Sequence, residues 1–415
     1  MTRSRLRILV VLTGFLCALG SAPVPAAPKP TPTRADKHLF VWAGDQARQA
    51  ADFLAVVNFD EDSADYGELI TTVPLPGPGA TSNEPHHVGL SADGRVLAAG
   101  GLLSVLKGQK EIFFFDVSDP AQPRFLSAAD PPQSAITDEF YPLPGGGFLV
   151  TMMGGAEGHH PGRVAEFDRR RQLVGEYPAV PPADGFNPHG ISVRPEVNLM
   201  VTSDFICPST TLHAVPAGLT LRGSVRVWNF AERKILRTVT LPKASGSIDI
   251  RLIPRDPKKR AFTAGMTDDT LYLIDTRRGT AKAVFNFGTI TTGGWPQLMR
   301  MTLDGRRLFV SMNVAGKIAM LDTSDAERPR LVSVLDLGKD SGPHYIALTG
   351  DERRLVITDY FLNEDDAGKV HAEGDHKVHV AMVSENGLAL DPRFQLDFNT
   401  AIPTGPARPH GVAFK

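Results

Sequence analysis

A histidine directly after a proline recurs four times in the chain, each time at the head of a strand-like apolar stretch. The copies are Glu84-Pro85-His86-His87-Val88-Gly89, Asn187-Pro188-His189-Gly190-Ile191, Gly342-Pro343-His344-Tyr345-Ile346 and Arg408-Pro409-His410-Gly411-Val412. A fifth copy, Trp295-Pro296-Gln297-Leu298-Met299, carries glutamine in the histidine slot. Neutral imidazole is the commonest protein ligand for copper and zinc. One such histidine would simply bond backbone or water. His86, His87, His189, His344 and His410 in a shared register instead read as ligands gathered around one metal ion. Adjacent residues of a strand point to opposite faces, so one of His86 and His87 is expected to face the ion unless the pair sits in the turn before the strand.

Other chemistry-bearing residues fall in matching places. Asp138 with Glu139, and Asp249 with Arg251, stand where other copies place histidine. They read as ligands, as partners that orient imidazole, as acid and base groups, or as an ion pair in a wet channel. Asp249 and Arg251 are the candidate catalytic pair. His159 and His160 could cap the site from a loop or simply be solvated. Cys207 could be a soft ligand, a redox thiol or an inert buried thiol. His371, His376 and His379 carry weaker signals, and His38 and His213 none. The chain has no Gly-rich phosphate loop, no Gly-x-Ser-x-Gly elbow, no His-Glu-x-x-His helix and no Cys-x-x-Cys-His, so neither nucleotide nor haem is expected.

The elements that must position these residues are short strands split by Gly, Pro, Asp and Asn, and the 39 Gly and 33 Pro supply the turns. The strands fall in groups of four with a period of roughly 50 residues, which reads as β-propeller blades. Two third-to-fourth strand turns nearly repeat: Asp116-Val117-Ser118-Asp119-Pro120-Ala121-Gln122-Pro123-Arg124 and Asp322-Thr323-Ser324-Asp325-Ala326-Glu327-Arg328-Pro329-Arg330. First strands begin near His86, Ile136, His189, Ile248, Gln297 and His344. The seventh blade is composite. Pro409 to Phe414 supplies its first strand, and Leu39–Trp42, Phe53–Val57 and Leu69–Val73 supply the rest. This predicts an all-β, seven-bladed propeller closed by pairing of the C-terminal strand with the N-terminal blade. Closure removes the exposed edges of an open array. The innermost strands would bring the Pro-His units to one mouth of the channel, where the long loops also gather.

Composition narrows the function. The formal net charge of -2 over 415 residues offers no footprint for nucleic acid. Residues 1–26 read as an export signal: Arg3, Arg5 and Arg7, an apolar run Ile8–Leu19, and small residues at Val24-Pro25-Ala26. Residues 27–37 read as a Pro-rich leader and 38–415 as the propeller. No membrane span is expected after signal cleavage, and the location is periplasmic or secreted. Of the two cysteines, Cys17 falls in the signal, so Cys207 has no partner for an internal disulfide.

The residues also resemble the selenium-binding protein / methanethiol oxidase family. The resemblance rests on Glu84-Pro85-His86-His87-Val88-Gly89, Val201-Thr202-Ser203-Asp204-Phe205, Gly223-Ser224-Val225-Arg226-Val227-Trp228, Ile248-Asp249-Ile250-Arg251-Leu252, Gly294-Trp295-Pro296-Gln297, Leu390-Asp391-Pro392-Arg393-Phe394 and the terminal Pro409-His410. It implies a seven-bladed propeller and, in exported bacterial members, a copper enzyme that oxidises a small thiol with O2 and water to aldehyde, sulfide and peroxide. His86, His87 and His410 match the family's copper ligands. The chain departs from the family twice. Ser91-Ala92-Asp93-Gly94 replaces the selenium-linked cysteine segment, and Asp138, Glu139 or Phe140 stands where the family has a histidine, while His189 and His344 are additional. A propeller that binds metal or a partner without turnover is the alternative reading.

Overall fold

The structure, a computed structural model, describes residues 36–208, 220–364 and 370–415. The 1–26 signal, the leader to residue 35 and His213 lie outside the described residues, as does the side chain of His371. Among the described residues every long element is a strand, and the few helical turns are short 3-10 segments.

Seven antiparallel sheets form the seven blades of a β-propeller. Six blades are contiguous in sequence, with first strands Pro85–Leu90, Ser134–Pro142, Pro188–Arg194, Ser247–Leu252, Pro296–Met301 and Pro343–Leu348. The remaining blade runs Leu69–Pro74, Phe53–Asn58, His38–Asp45 and then the C-terminal Ala407–Phe414. Its seam is antiparallel, with Leu39 opposite Phe414 and Val41 opposite Val412. Fully buried apolar residues of the seam, among them Leu39, Val41, Phe59, Phe398 and Val412, share one cluster with the neighbouring blade. Arg354 locks the same joint: its guanidinium lies 3.9 Å over the Phe59 ring and donates to Phe59 O at 2.8 Å and Asp36 O at 3.0 Å.

The Asp-rich turns repeat in atomic detail. Asp116 Oδ1 accepts Ser118 N at 3.0 Å, and Asp322 Oδ1 accepts Ser324 N at 2.9 Å. The same two carboxylates pair with Arg124 and Arg330 across their turns. These backbone N–H bonds and the arginines hold Asp116 and Asp322 down at about 2.

The inner strands carry the device that builds the site. In all seven blades the register slips at one place: between Pro85 and Val88, Thr137 and Phe140, Pro188 and Ile191, Ser247 and Ile250, Pro296 and Met299, Pro343 and Ile346, and within Pro409 to Val412. Such a bulge re-aims side chains and leaves backbone groups outside the ladder. In three blades a hydroxyl on the second strand takes up a freed group. Glu139 N, Gly190 N and Leu298 N donate to Thr151, Ser203 and Ser311 Oγ. Each hydroxyl then donates onward to the next blade: Thr151 to His189 O, Ser203 to Ile248 O, Ser311 to His344 O, and likewise Thr358 to His410 O at 2.5 Å. Gly411 completes the close packing, since a Cβ there would lie 2.4 Å from His86 O.

Thr358→Val keeps the shape and removes the hydroxyl, leaving the buried His410 carbonyl without that donor. Unfolding in urea should show a loss of about 1–3 kcal/mol. An unchanged midpoint would mean that the hydroxyl relay does not hold the inner strand.

Candidate metal centre

The shared register slip defines one slot per blade, the residue after the first of each bulged segment. Around the ring the slot holds His86, Asp138, His189, Ile248, Gln297, His344 and His410. The next position holds His87, Glu139, Gly190, Asp249, Leu298, Tyr345 and Gly411. Asp249 is therefore one residue past the histidine slot, which Ile248 occupies. The bulge also corrects the expectation that His86 and His87 face opposite ways. Their rings stack with centroids 4.2 Å apart, and both are buried.

The five imidazoles meet in one buried cluster. Ligand atoms of His86, His87, His344 and His410 lie within 4.8 Å of one another, and those of His86, Asp138 and His189 form a second such group. His87 Nε2 is 3.4 Å from His344 Nε2. His344 Nδ1 bonds Gln297 Oε1, so its proton belongs on Nδ1 and Nε2 is left free for a metal. Asp138 Oδ2 is 3.1 Å from His189 Nε2 and 3.6 Å from His86 Nε2, and its Oδ1 is 3.0 Å from His87 Nδ1. These approaches are not aligned as hydrogen bonds: both Asp138 oxygens, both His410 nitrogens, and Nδ1 of His86, His87 and His189 have no hydrogen-bond partner. Buried polar atoms in native folds are normally satisfied, so this concentration of orphans fits a missing ligand.

Electrostatics point to the same ligand. Burial, followed by repulsion from His86, pushes His87 down to about 3. Burial and neighbouring imidazoles hold His344 and His410 well below the ordinary range, and burial also lowers His189. Asp138 is fully buried, which raises a carboxyl, yet His189, His87 and His86 outweigh burial and hold it well below the ordinary range. The two tendencies conflict, because His87 and His189, which would neutralise Asp138 as cations, are themselves pushed toward the neutral form. Burial of an unpaired charge is expensive. A cation bound by neutral imidazoles beside the carboxylate resolves the conflict, so the buried cluster can hold a metal ion. About 4 Å separates donors across an ion with bonds of about 2.0–2.1 Å, slightly less than the spread of the histidine group.

Asp249 and Arg251 lie beside this cluster in an ion-pair layer of their own. Arg251 Nη2 is 2.6 Å from Glu139 Oε1 and 3.0 Å from Asp249 Oδ2. Asp249 also accepts Met299 N at 2.7 Å, and Glu139 accepts Ile191 N at 3.0 Å, so the layer stitches four blades together. Despite burial, Arg251 and Arg300 hold Glu139 low, whereas burial wins at Asp249 and raises it. Neither Asp249 nor Arg251 belongs to the two ligand groups. His159 and His160 are exposed, Cys207 is buried, and His376 and His379 pair with Asp359 and Asp375.

Sequence reasoning missed Gln297 as a partner of His344 and missed the hydroxyl relay. The relay's signal was present as a Ser or Thr after an apolar or β-branched residue on each second strand: Val150-Thr151, Thr202-Ser203, Val310-Ser311 and Ile357-Thr358.

A fold of seven blades with a histidine cluster on the inner strands defines a propeller with a candidate buried metal centre. The 56 kDa selenium-binding protein family (SBP56) matches residues 22–415, and the chain belongs to that family. Methanethiol oxidase of Hyphomicrobium sp is 26% identical over 390 residues, covering 88% of this chain and 84% of the relative. Human methanethiol oxidase is 23% identical, covering 88% and 90%. Among solved structures, a hypothetical selenium-binding protein from Sulfolobus tokodaii superposes with a TM-score of 0.75 at 18% identity, over 92% of this chain and 94% of that one. That likeness concerns the fold.

The buried imidazoles make stability depend on pH. An unfolded histidine takes up a proton near 6.5, whereas folded His87 resists until about 3. The unfolded state therefore binds more protons in that window, and stability falls as pH drops through it. Urea unfolding of metal-free protein should lose up to about 1.4 kcal/mol per pH unit for each such histidine. A flat profile between pH 6.5 and 4.5 would contradict the neutral cluster.

Proposed function

We propose that the protein is an exported, copper-dependent oxidase of small thiols, converting thiol, O2 and water to aldehyde, sulfide and peroxide. The observation that carries this reading is the buried cluster of five imidazoles and a carboxylate whose ligand atoms converge, in a chain whose relatives are named methanethiol oxidase. His86, His87, His344 and His410 hold the metal, with Asp138 and His189 alongside. Copper supplies a Lewis acid that lowers the thiol pKa and a redox couple for O2. Gln297 fixes the tautomer and aim of His344. Asp138 balances the charge of the ion within the dry pocket. The Glu139–Arg251–Asp249 layer keeps the inner strands of neighbouring blades in fixed register. Residues 1–26 direct the chain to the periplasm or outside the cell and are removed there.

Protein purified after export should contain copper, start after residue 26 by mass, and consume O2 with methanethiol while releasing peroxide. His410→Ala should abolish both copper retention and O2 uptake. Gln297→Leu should weaken copper affinity by about 10–100-fold. Copper-loaded protein that consumes no O2 with small thiols would overturn the activity. Unchanged copper content in His410→Ala would overturn the site.

A further inference from the structure

Two charges stand just ahead of the metal ligands, and coordination alone does not account for them. Each inner strand has a residue two places before its slot. Of those seven residues only Glu84, ahead of His86, and Arg408, ahead of His410, carry charge. They lie on neighbouring blades and meet across the joint. Arg408 Nη1 pairs with Glu84 Oε1, and Arg48 Nη2 is 2.9 Å from Glu84 Oε2. Both arginines belong to the composite blade: Arg408 to its inner strand, Ala407–Phe414, and Arg48 to the loop between His38–Asp45 and Phe53–Asn58. One carboxylate on the blade of His86 and His87 is thus gripped twice by the blade of His410.

Both partners are fixed from behind. Glu84 is buried and has a φ of 57°. This left-handed conformation is uncommon for a residue with a side chain and persists where the surroundings impose it. Its carbonyl accepts Leu102 N at 2.9 Å. The preceding Asn83 is held by Asp52, whose carboxylate accepts Asn83 N at 2.8 Å and Nδ2 at 3.0 Å. Arg408 lies opposite Gly44 in the seam. A Cβ on Gly44 would come within 2.9 Å of Asp52 Oδ1, 3.0 Å of Pro85 and 3.2 Å of Arg408 Nη2. The missing side chain makes the room in which these groups pack.

A buried ion pair adds little net stability, because desolvation offsets its attraction. What it supplies here is direction, since the guanidinium is planar and bonds along fixed lines. That direction passes to the ligands through one stiff residue on each side. Pro85 alone separates Glu84 from His86, and Pro409 alone separates Arg408 from His410. Each pyrrolidine ring fixes its own φ. Beyond the prolines the His86 and His410 rings stack with centroids 4.5 Å apart, and His86, His87 and His410 share one ligand group. We propose that Glu84 and Arg408, braced by Arg48, are positioning residues for the metal: their pair sets the spacing of His86 and His87 against His410 across the blade joint. This rests on the cluster holding a metal and not on the oxidation of thiols.

Copper(II) binding to the purified protein tests the pair, read by chelator competition and by the electron paramagnetic resonance spectrum. Glu84→Gln combined with Arg408→Gln removes both charges together and strands neither. Copper affinity should fall by about 10–100-fold, and the copper hyperfine splitting should change. Asp256 and Arg260 form an ion pair at the turn after a different inner strand, Ser247–Leu252. Asp256→Asn combined with Arg260→Gln should leave both readouts at their wild-type values. Arg48→Gln alters a partly exposed side chain and should weaken copper binding by about threefold. If the double variant at Glu84 and Arg408 does not fold, Arg48→Gln alone decides. Wild-type affinity and spectrum in the folded double variant, or in Arg48→Gln, overturn the proposal. An equal loss in the Asp256 and Arg260 variant also overturns it, by tracing the effect to general loosening. Absence of copper binding by the wild-type protein would sink the metal centre and the proposal with it. Copper affinity that depends on the pair, without O2 uptake on thiols, would sink the oxidase reading and leave the proposal standing.

Discussion

The register slip at the head of each inner strand is the constraint on which the site depends. A regular strand would send His86 and His87 to opposite faces. The bulge turns both rings inward and stacks them. It also frees backbone groups that must be paired in a dry interior. Thr151, Ser203 and Ser311 provide the pairing, and these three and Thr358 reach across to the carbonyl of the next blade's slot residue. In three blades one short side chain thus satisfies its own bulge and fixes the neighbour's slot residue. Three of the four carbonyls so held belong to histidines of the cluster: His189, His344 and His410. The rigidity of the ring is transmitted to the imidazoles through hydroxyls rather than through the imidazoles themselves.

Much of this was legible in the sequence. Four Pro-His units and the repeated Asp-rich turns expose a period, and the period alone gives blade number, composite blade and the gathering of histidines. What was hidden was the local departure from regular strand geometry. No composition or periodicity marks a two-for-one pairing, so His86 and His87 read as divergent, and Asp249 read as a slot residue although Ile248 holds that place. The partner of His344 was hidden for a different reason. Gln297 was visible as a substitution in the repeat, but its contact with His344 crosses from one blade to the next and depends on how closely the inner strands approach.

The centre mixes donor types. The slot at Asp138 sets a buried carboxylate beside the imidazoles of His86, His87 and His189. Beneath it, the Glu139–Arg251–Asp249 layer carries charges of both signs yet is almost fully paired by salt bridges and backbone donors. The two layers differ in how many of their polar atoms still seek a partner, and that separates a group that holds the ring from a group that waits for a ligand.

The seam of the ring has a consequence for assembly. The strand that completes the circle, Ala407–Phe414, is also the one that delivers His410. Closure of the ring and completion of the histidine cluster are therefore one event. A ring left open at this seam is also a cluster short of one imidazole, so an intact cluster certifies a closed fold.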